Sequence, residues 1–251
     1  MIIDLSRCST AGYFFMALPF FYIDSFDATQ QLITLNEETS KHVVQVLRMQ
    51  VGEQLNLTDG KGNLLTAVIS EAHKKHCAVR IQVVSFKPQA ERKTTIAVSL
   101  VKNASRFEWF LEKATEIGVT EIIPLLCERT ERQHFRYDRM NGILVSAMLQ
   151  SQQTWLPVLH EPVKFENLKI SEFENSLKLI AHCEETEKKS FSNFQIDQFS
   201  NCIILIGPEG DFTTNEIETA ITNGFQPVAL GETRLRTETA AMVAATLLRI
   251  R

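Results

Sequence analysis

The pattern of apolar residues changes at residues 85–93, and this change constrains the fold more than any other feature of the chain. Before it, short stretches of alternating apolar and polar residues surround one helical segment, which predicts a small β-rich domain. After it, apolar strand-like stretches alternate with amphipathic segments, the pattern of an α/β domain with a mainly parallel sheet. The segment itself contains Pro88, several charges and no apolar period, so it is typical of a linker. We therefore predict an N-terminal extension at residues 1–15, a β-rich domain at 16–88 and an α/β domain at 94–251.

The N-terminal half contains several short strands and one helix. Asp59–Gly62 is predicted to form a turn between two of the strands. Asn36 is predicted to cap a helix that has one buried face and basic residues towards solvent. The strands are predicted at Phe20–Ile23, Gln54–Thr58, Leu64–Ile69 and Cys77–Val84. The predicted buried residues of the helix are Val43, Val46 and Leu47, and the predicted solvent-facing ones are Lys41 and Arg48.

The C-terminal half begins with a predicted strand at Ile96–Val101 and a helix at Arg106–Ile117, which Gly118 is suited to end. The apolar residues of this helix, Phe107, Phe110, Leu111, Ala114 and Ile117, fall on one face, so that face is expected to pack on the sheet. Further buried strands are predicted at Glu121–Leu126, Leu177–His182, Cys202–Ile206 and Pro227–Leu230.

The charges are distributed unevenly along the chain. The net charge of −4 and the pI of 5.9 argue against a protein that coats nucleic acid through its overall charge. Residues 41–93, however, hold nine lysines and arginines against four acids, whereas residues 161–201 hold five against eight. This contrast fits a basic surface that binds a polyanion, and a solvated surface gives the same pattern.

The cysteines and the N-terminal segment indicate the cellular compartment of the protein. The five cysteines include no C-x-x-C pair and no metal-ligand spacing to histidine, so we expect reduced thiols, no metal and a cytoplasmic protein. Residues Ala11–Ile23 imitate a signal-peptide core, but Pro19 interrupts them and they are too few to cross a membrane. We expect no targeting segment and no membrane contact, and Met16 is an alternative natural start.

Two segments that follow predicted parallel strands carry the candidate chemistry, because ligands of parallel sheets bind beyond the carboxyl ends of the strands. Ile206–Phe212 places two glycines around Pro208, which allows a tight loop with main-chain donors, although such a loop is also an ordinary turn. Leu230–Ala240 places two arginines and two glutamates before an apolar helix, and a helix cap with solvated charges is the alternative. Nucleotide-binding G-x-x-x-x-G-K-[ST] and G-x-G-x-x-G patterns are absent. His182, at a predicted strand end, is either a ligand contact or a structural histidine.

These segments, taken together, resemble one family: the bacterial 16S ribosomal RNA uracil-N3 methyltransferases, the RsmE family of the SPOUT methyltransferases. The resemblance spans about residues 17–251. Its motifs are His42-Val43-Val44-Gln45-Val46-Leu47-Arg48, Lys113-Ala114-Thr115-Glu116-Ile117-Gly118-Val119, Ile206-Gly207-Pro208-Glu209-Gly210, and Leu230-Gly231 followed by Leu235-Arg236-Thr237-Glu238-Thr239-Ala240.

The resemblance implies a PUA-like RNA-binding β-barrel followed by a SPOUT domain with a trefoil knot. It also implies a homodimer that uses S-adenosylmethionine to form 3-methyluridine in 16S rRNA of the small ribosomal subunit, without a metal. The cofactor residues implied by position are Ala181, His182, Gly207, Glu209, Gly210, Leu230, Gly231, Leu235, Arg236 and Thr239.

The catalytic candidates follow from the chemistry of the implied reaction. Arg236 is expected to stabilise the uracil anion, and Glu238 to accept the N3 proton or to serve as a helix cap. The alternative function is a non-catalytic RNA-binding or ribosome-assembly protein that retains the fold. Candidates for gripping the RNA phosphates are Arg48, Lys102, Arg106, Arg129 and Arg132.

The chain departs from the family pattern at two places. Asp211 stands where the family usually has a glycine, which puts the loop conformation in question. The arginine that usually follows Gln150-Ser151 is also missing. Arg139, Gln150 and Gln152 are candidates to replace it.

Overall fold

The computed structural model describes residues 17–173, 175–185 and 187–250. The predicted extension at 1–15, the start at Met16 and the first part of the apolar stretch Ala11–Ile23 lie outside these residues. The described chain forms a five-stranded sheet followed by an eight-stranded sheet with flanking helices. None of the helices in these ranges is long and apolar enough to cross a membrane.

The N-terminal sheet is built almost entirely from antiparallel pairs, with the spatial order β1-β3-β4-β5-β2. Only β1 and β3 run parallel. All four predicted strands are confirmed, whereas the three-residue β2 was not predicted because it is too short to show alternation. The strands are β1 (Phe20–Tyr22), β2 (Leu32–Thr34), β3 (Gln54–Thr58), β4 (Asn63–Glu71) and β5 (Ala78–Phe86).

The helix of this domain is α1 (Glu37–Lys41), and Asn36 caps it as predicted by accepting a hydrogen bond from the Thr39 amide at 2.8 Å. The predicted buried face beyond it is wrong. Val43 is fully buried, but Val46 and Leu47 are 64% and 43% exposed. The chain continues from α1 into a π-helical turn, His42–Val46, whose wider spacing rotates these two side chains away from the core.

The C-terminal sheet is parallel at every pair, which confirms the predicted α/β architecture. Its order is β11-β13-β10-β12-β6-β7-β8, with β9 also paired to β7. The three two-residue strands β8, β9 and β11 were not predicted. The bounds are β6 (Lys93–Ser99), β7 (Glu121–Leu126), β8 (Val158–Leu159), β9 (Val163–Lys164), β10 (Leu177–Ala181), β11 (Lys189–Ser190), β12 (Asn201–Ile206) and β13 (Gln226–Ala229).

Helices cover both faces of this sheet. Successive residues of β6, Ile96 and Ala97, belong to two different apolar clusters, as expected for a strand buried on both faces. The predicted apolar face of α2 is buried, except that Ile117 is only partly so. Helix α3 was not predicted from the sequence. The trefoil knot that the family resemblance implies stays a prediction. The helices are α2 (Ala104–Ile117), α3 (Tyr137–Gln150), α4 (Thr214–Thr222) and α5 (Thr237–Ile250).

The two domains meet along a hydrogen-bonded joint. The Gly62 amide donates to the Thr154 carbonyl at 2.8 Å, and the Leu156 amide donates to the Gly60 carbonyl at 2.9 Å. The predicted linker is also shorter than expected, because β5 continues through Phe86 and leaves only residues 87–92 outside regular structure. The Phe86 ring packs edge-on against Trp155, which explains the extension.

Candidate functional site

The candidate site lies at the carboxyl edge of the parallel sheet. β10 lies between β12 and β13, so Ala181, Ile206 and Ala229 end neighbouring strands. The segments that follow β12 and β13, residues 207–213 and 230–236, are called here the β12 loop and the β13 loop. Both were singled out in the sequence, and the structure brings them together at one edge.

Two adjoining cavities occupy this edge. The first, of about 320 Å³, lies mainly against the β12 loop, and the second, of about 410 Å³, mainly against the β13 loop. Both volumes fall in the range of small-molecule sites, roughly 300–1,000 Å³. The two cavities share Ala181, Cys183, Arg234, Leu235 and Ala240, so they form one elongated cleft.

The β12 loop is held from three directions. The Thr237 hydroxyl at the start of α5 donates to the Gly207 carbonyl at 3.0 Å, and the Lys102 amide donates to Glu209 Oε1 at 2.9 Å. Arg129 Nη1 donates to the Gly210 carbonyl at 2.9 Å. A Cβ on Gly207 would lie 3.1 Å from the Phe212 amide nitrogen, so any larger residue would force Phe212 to shift. The loop therefore has a fixed shape before any ligand binds.

Asp211 has a backbone conformation that favours glycine. Its φ of 65° is left-handed, a region that aspartate tolerates better than most residues. Its carboxylate accepts hydrogen bonds from the Cys183 amide at 2.7 Å and from the Phe212 amide at 2.9 Å. The aspartate therefore ties the β12 loop to the segment that follows β10.

The β13 loop is much less constrained. Residues 231–234 are exposed, and Gly231 has a φ of 152° that favours glycine. Arg234 and Arg236 are exposed as well, and both line the first cavity beside Glu209. The loop ends where Thr237 begins α5. It thus brings two cations next to the carboxylates of the β12 loop.

His182 is buried at the end of β10 and lines the second cavity. Neither ring nitrogen has a hydrogen-bond partner among the residues that the structure describes. Burial lowers the pKa of His182, and the nearby Lys188 lowers it further, which outweighs the opposing effect of Asp211 and Glu184. The imidazole is therefore neutral near pH 7.

Glu238 lies in the first turn of α5 but outside both cavity linings. It is buried, and its Oε1 lies 3.6 Å from Arg106 Nε. Its other oxygen, Oε2, has no partner within the described ranges. The carboxylate therefore faces Arg106 of α2 from the first turn of α5.

The residues predicted to grip RNA fall into two places. Lys102, Arg106, Arg129 and Arg132 surround the β12 loop, with Arg132 Nη1 donating to the Lys102 carbonyl at 3.4 Å. The Lys102 side chain pairs with Glu131 at 2.8 Å, which raises the pKa of this lysine. Arg48 is exposed on the N-terminal domain, just after the π-helical turn.

Most of the predicted cofactor residues line the cleft. Gly210 and Thr239 are not among the lining residues. The Gly210 carbonyl instead accepts the hydrogen bond from Arg129. Cys183, Arg234 and Lys188 line the cleft without having been predicted. Two sequence signals could have identified two of them. Cys183 directly follows a predicted strand, and Arg234 lies in the charged segment Leu230–Ala240. The predicted residues in the lining are Ala181, His182, Gly207, Glu209, Leu230, Gly231, Leu235 and Arg236.

The candidates to replace the missing arginine, Arg139, Gln150 and Gln152, have different surroundings in the structure. Arg139 is engaged elsewhere, because its Nε and Nη2 donate to the two Glu108 oxygens at 2.7 and 2.8 Å. These bonds lower the pKa of Glu108. Gln150 and Gln152 instead line a groove between α3 and the N-terminal domain.

The thiols do not form a reactive or metal-binding cluster within the described ranges. Cys77, Cys127, Cys183 and Cys202 are all free. Burial raises the pKa of Cys127 to about 12, which keeps it protonated. No group of three or more potential metal ligands occurs among residues 17–173, 175–185 and 187–250.

The chain joins a small β domain to a parallel α/β domain with a cleft at its carboxyl edge, and two family models place these domains in the class of RNA methyltransferases. One described as an RNA methyltransferase domain matches residues 88–249, and one described as an RNA methyltransferase PUA domain matches residues 35–82.

The chain belongs to the family of ribosomal RNA small subunit methyltransferase E. Curated members from Rickettsia conorii and a Synechocystis strain are 29% and 32% identical to it, covering 91% and 84% of this chain and 94% and 71% of their own. A probable rRNA methyltransferase from Porphyromonas gingivalis superimposes with a TM-score of 0.83 at 37% identity, over 93% of this chain and 99% of its own. A putative methyltransferase from Legionella pneumophila, solved with bound SAM, gives a TM-score of 0.82 at 32% identity, over 93% and 97%.

Proposed function

We propose that the protein transfers the methyl group of S-adenosylmethionine to N3 of a uridine in 16S rRNA. The observation that carries this proposal is the cleft at the carboxyl edge of the sheet, in which both predicted loops meet around Ala181. Family membership supplies the reaction class, and the relatives' name supplies the small-subunit rRNA as substrate.

The residues of the cleft fit this cofactor. When bound, it supplies an electrophilic methyl group on a positively charged sulfur. Glu209 and Asp211 line the first cavity and offer carboxylates that can stabilise a positive charge. Arg234 and Arg236 suit the carboxylate of its amino-acid end. The second cavity has apolar walls, including Val228 and Leu230, that suit a flat ring.

The uracil must lose its N3 proton when N3 forms the new bond to carbon. Arg236 is exposed at the cleft and is proposed to stabilise the negative charge that develops on the uracil oxygens. Glu238 was the other catalytic candidate. Its burial beside Arg106, outside the lining of both cavities, argues against proton acceptance from a base bound in the cleft. Placement of the base at near-attack distance, about 3–3.5 Å, supplies much of the rate.

The RNA is proposed to cross the carboxyl edge of the sheet beside the β12 loop. Lys102 and Arg132 are the strongest candidates to contact its phosphates, and Arg48 would extend the contact onto the PUA domain. Arg129 already holds the loop through its guanidinium, so its role is proposed to be positioning. In binding assays, Arg132→Ala should reduce the salt dependence of RNA affinity, whereas Arg129→Ala should weaken cofactor binding as well.

The finer assignments also remain proposals. A homodimer follows from the family resemblance, and sedimentation equilibrium of the full chain tests it. A cytoplasmic location is consistent with free thiols and with a ribosomal substrate. The non-catalytic scaffold is the competing function, and the cleft argues against it because a scaffold has no need of two ligand loops.

Calorimetric titration with S-adenosylmethionine tests the proposed function. We expect saturable binding by the wild type and clear weakening of cofactor binding by Arg234→Ala, which removes a cation assigned to the carboxylate of the cofactor. Arg80→Ala, which changes an exposed arginine of the N-terminal domain, should not weaken it. Incubation with 30S subunits and mass spectrometry of digested 16S rRNA should then detect 3-methyluridine. A folded protein that does not bind the cofactor at millimolar concentration would favour the scaffold.

A further inference from the structure

The joint between the two domains is a short piece of β-structure. Lys61, in the turn between β3 and β4, pairs with Trp155 in an isolated antiparallel β-bridge. The two main-chain hydrogen bonds of the joint, at 2.8 and 2.9 Å, lie on either side of this pair. Paired backbone segments have a defined direction and register, so the joint sets how the turn is oriented against the C-terminal domain.

Side chains close the joint around this pair. The Trp155 indole donates its Nε1 hydrogen to the Lys87 carbonyl at 2.8 Å, and its ring packs edge-on against Phe86. Lys87 is the first residue after β5, and its amide donates to the Gly62 carbonyl at 2.9 Å. Residues 87–92, which the sequence pattern predicts as part of a linker, are therefore tied to the joint at their start.

Both chain segments that lead from the joint are anchored in the C-terminal domain. The Arg92 carbonyl, just before β6, accepts a hydrogen bond from Arg249 Nη1 of α5 at 3.3 Å. The chain after Trp155 enters β8, which is paired with β7 of the parallel sheet. The Val158 amide at the start of β8 also donates to the Thr120 carbonyl at 2.9 Å. Both routes from the joint to the sheet are therefore short and hydrogen-bonded at each end.

We propose that the joint holds the N-terminal domain in one orientation to the parallel sheet, with Gly62 and Trp155 as positioning residues for RNA methylation. This inference rests on the function proposed above. RNA that is bound by the N-terminal domain, near Arg48, is then presented to the cleft at a fixed distance and angle. The uridine is selected by its spacing from that contact as well as by its fit in the cleft. A misplacement of about 1 Å can cost on the order of a hundredfold in rate.

Gly62→Ala should disrupt the joint. A Cβ on Gly62 would lie 2.7 Å from the rings of Phe86 and Trp155 and 2.8 Å from the Lys87 carbonyl oxygen, so these groups must shift. Gly52→Ala is the matched control, because Gly52 has nearly the same left-handed φ, 94° against 92°. A Cβ on Gly52 meets nothing within 4 Å among the described residues. The two variants therefore carry similar backbone strain, and only Gly62→Ala alters the joint.

The two variants are compared in methylation of 30S subunits and in calorimetric titration with S-adenosylmethionine. We expect kcat/KM for 30S subunits to be lower in Gly62→Ala than in Gly52→Ala, on the order of tenfold or more. The affinity for the cofactor should be the same in both, because the joint leads to the amino ends of β6 and β8 and the cleft lies at the opposite edge. Equal kcat/KM values would overturn the inference. A parallel loss of cofactor affinity in Gly62→Ala would show a general structural role and would overturn it too.

A disulfide across the joint tests whether the orientation must stay fixed. Lys61 and Trp155 form the closely spaced kind of antiparallel pair, which lies between two hydrogen bonds, so cysteines at these positions can be bridged. Reduced Lys61→Cys/Trp155→Cys lacks the indole contacts and should methylate 30S subunits more slowly than the wild type. Oxidation should restore the rate by closing the joint again.

The wild type, oxidised and reduced in the same way, is the control for the native thiols. A methylation rate of the double variant that oxidation leaves unchanged would mean that the joint does not position the RNA. A rate that oxidation lowers would mean that the domains must move during the reaction. Either result overturns this inference alone. Failure of the wild type to methylate 30S subunits overturns the proposed function and this inference with it.

Discussion

Two buried polar side chains, Glu121 at the amino edge of the parallel sheet and His182 at its carboxyl edge, differ in how they are paired. At the amino edge, Glu121 begins β7 and is contacted by Lys93 Nζ at 2.8 Å, Thr95 Oγ1 at 2.6 Å and His160 Nε2 at 2.7 Å. At the carboxyl edge, His182 has no protein partner within the described residues. The hydrogen-bonding capacity of Glu121 is therefore met inside the chain, whereas that of His182 is not met by the residues that the structure describes.

The same contrast holds between the two loops of the cleft. The β12 loop is fixed by Lys102, Arg129 and Thr237, so it presents a preformed wall. The β13 loop is exposed and carries the arginines assigned to ligands. Mutations at fixed positions should therefore change stability, and mutations at the ligand-facing positions should change function alone.

The largest loss of stability is expected for Glu121→Ala at the amino edge. Removing the carboxylate leaves the buried Thr95 hydroxyl without its partner and Lys93 without its ion pair, at a cost of about 2–3 kcal/mol. For a chain of this size the melting temperature should fall by roughly 5–10 °C, measured by circular dichroism. Glu121→Gln retains one acceptor and should lose less. Equal melting temperatures for wild type and Glu121→Ala would remove the basis of the comparison.

The Glu121 carboxyl group also predicts how the free energy of unfolding changes at acid pH. Burial raises the pKa of Glu121, but hydrogen bonds from Lys93, Thr95 and His160 outweigh it, so the pKa lies below the ordinary 4.5. The stabilisation is therefore complete above pH 4.5 and is lost as the pH falls through the lowered pKa. Urea unfolding from pH 6 to pH 3 should show a steeper decline for the wild type than for Glu121→Gln. Parallel curves would argue against the pairing.

At the carboxyl edge, Gly207→Ala should be the most damaging change to the fixed loop. The added Cβ would lie 3.0–3.1 Å from the ring and amide of Phe212, and overpacking of this kind costs about 1–3 kcal/mol. Cofactor affinity, measured by calorimetry, should fall together with the melting temperature. Gly142→Ala is the matched control, because a Cβ there meets nothing within 4 Å in the middle of α3. It should be neutral or stabilising.

Variants of Asp211 separate backbone conformation from hydrogen bonding. Asp211→Ala loses both bonds and strains the left-handed backbone, at a cost of about 1–3 kcal/mol. Asp211→Gly relieves the strain but still lacks both hydrogen bonds. Asp211→Asn tolerates the left-handed backbone and retains much of the hydrogen bonding. From highest to lowest, the expected order of melting temperatures is wild type, Asp211→Asn, Asp211→Gly and Asp211→Ala. A melting temperature of Asp211→Gly above that of the wild type would mean that the two carboxylate bonds contribute less than the strain that glycine relieves.

The smallest effect on stability is expected for Arg236→Ala, because the side chain is exposed. The free energy of unfolding should change by less than about 0.5 kcal/mol. Methylation of 30S subunits should nevertheless fall on the order of a hundredfold, if the guanidinium stabilises developing charge. Unchanged turnover would reassign Arg236 to the surface. A large loss of stability would mean that the β13 loop is as constrained as the β12 loop.

Much of this arrangement was predictable from sequence because it depends on local patterns. Apolar runs such as Cys202–Ile206 predicted the buried strands, and Asn36 predicted the start of a helix. The predictions that were wrong or missing arose where a local pattern was weak. Val46 and Leu47 were misplaced because a π-helical turn does not follow the 3.6-residue period. The two-residue strands pair only because the neighbouring β7 and β13 are already in place.

The sequence by itself determined the two-domain order, the parallel sheet and the two loops that carry the candidate chemistry, because period and punctuation are encoded locally. The tertiary structure alone decided which polar groups are paired. Glu238 was placed against Arg106, Arg129 against the β12 loop, and His182 in the cleft without a protein partner. Pairing of this kind joins residues that are far apart in the chain. It is set by the packing of whole elements, which no local spacing records.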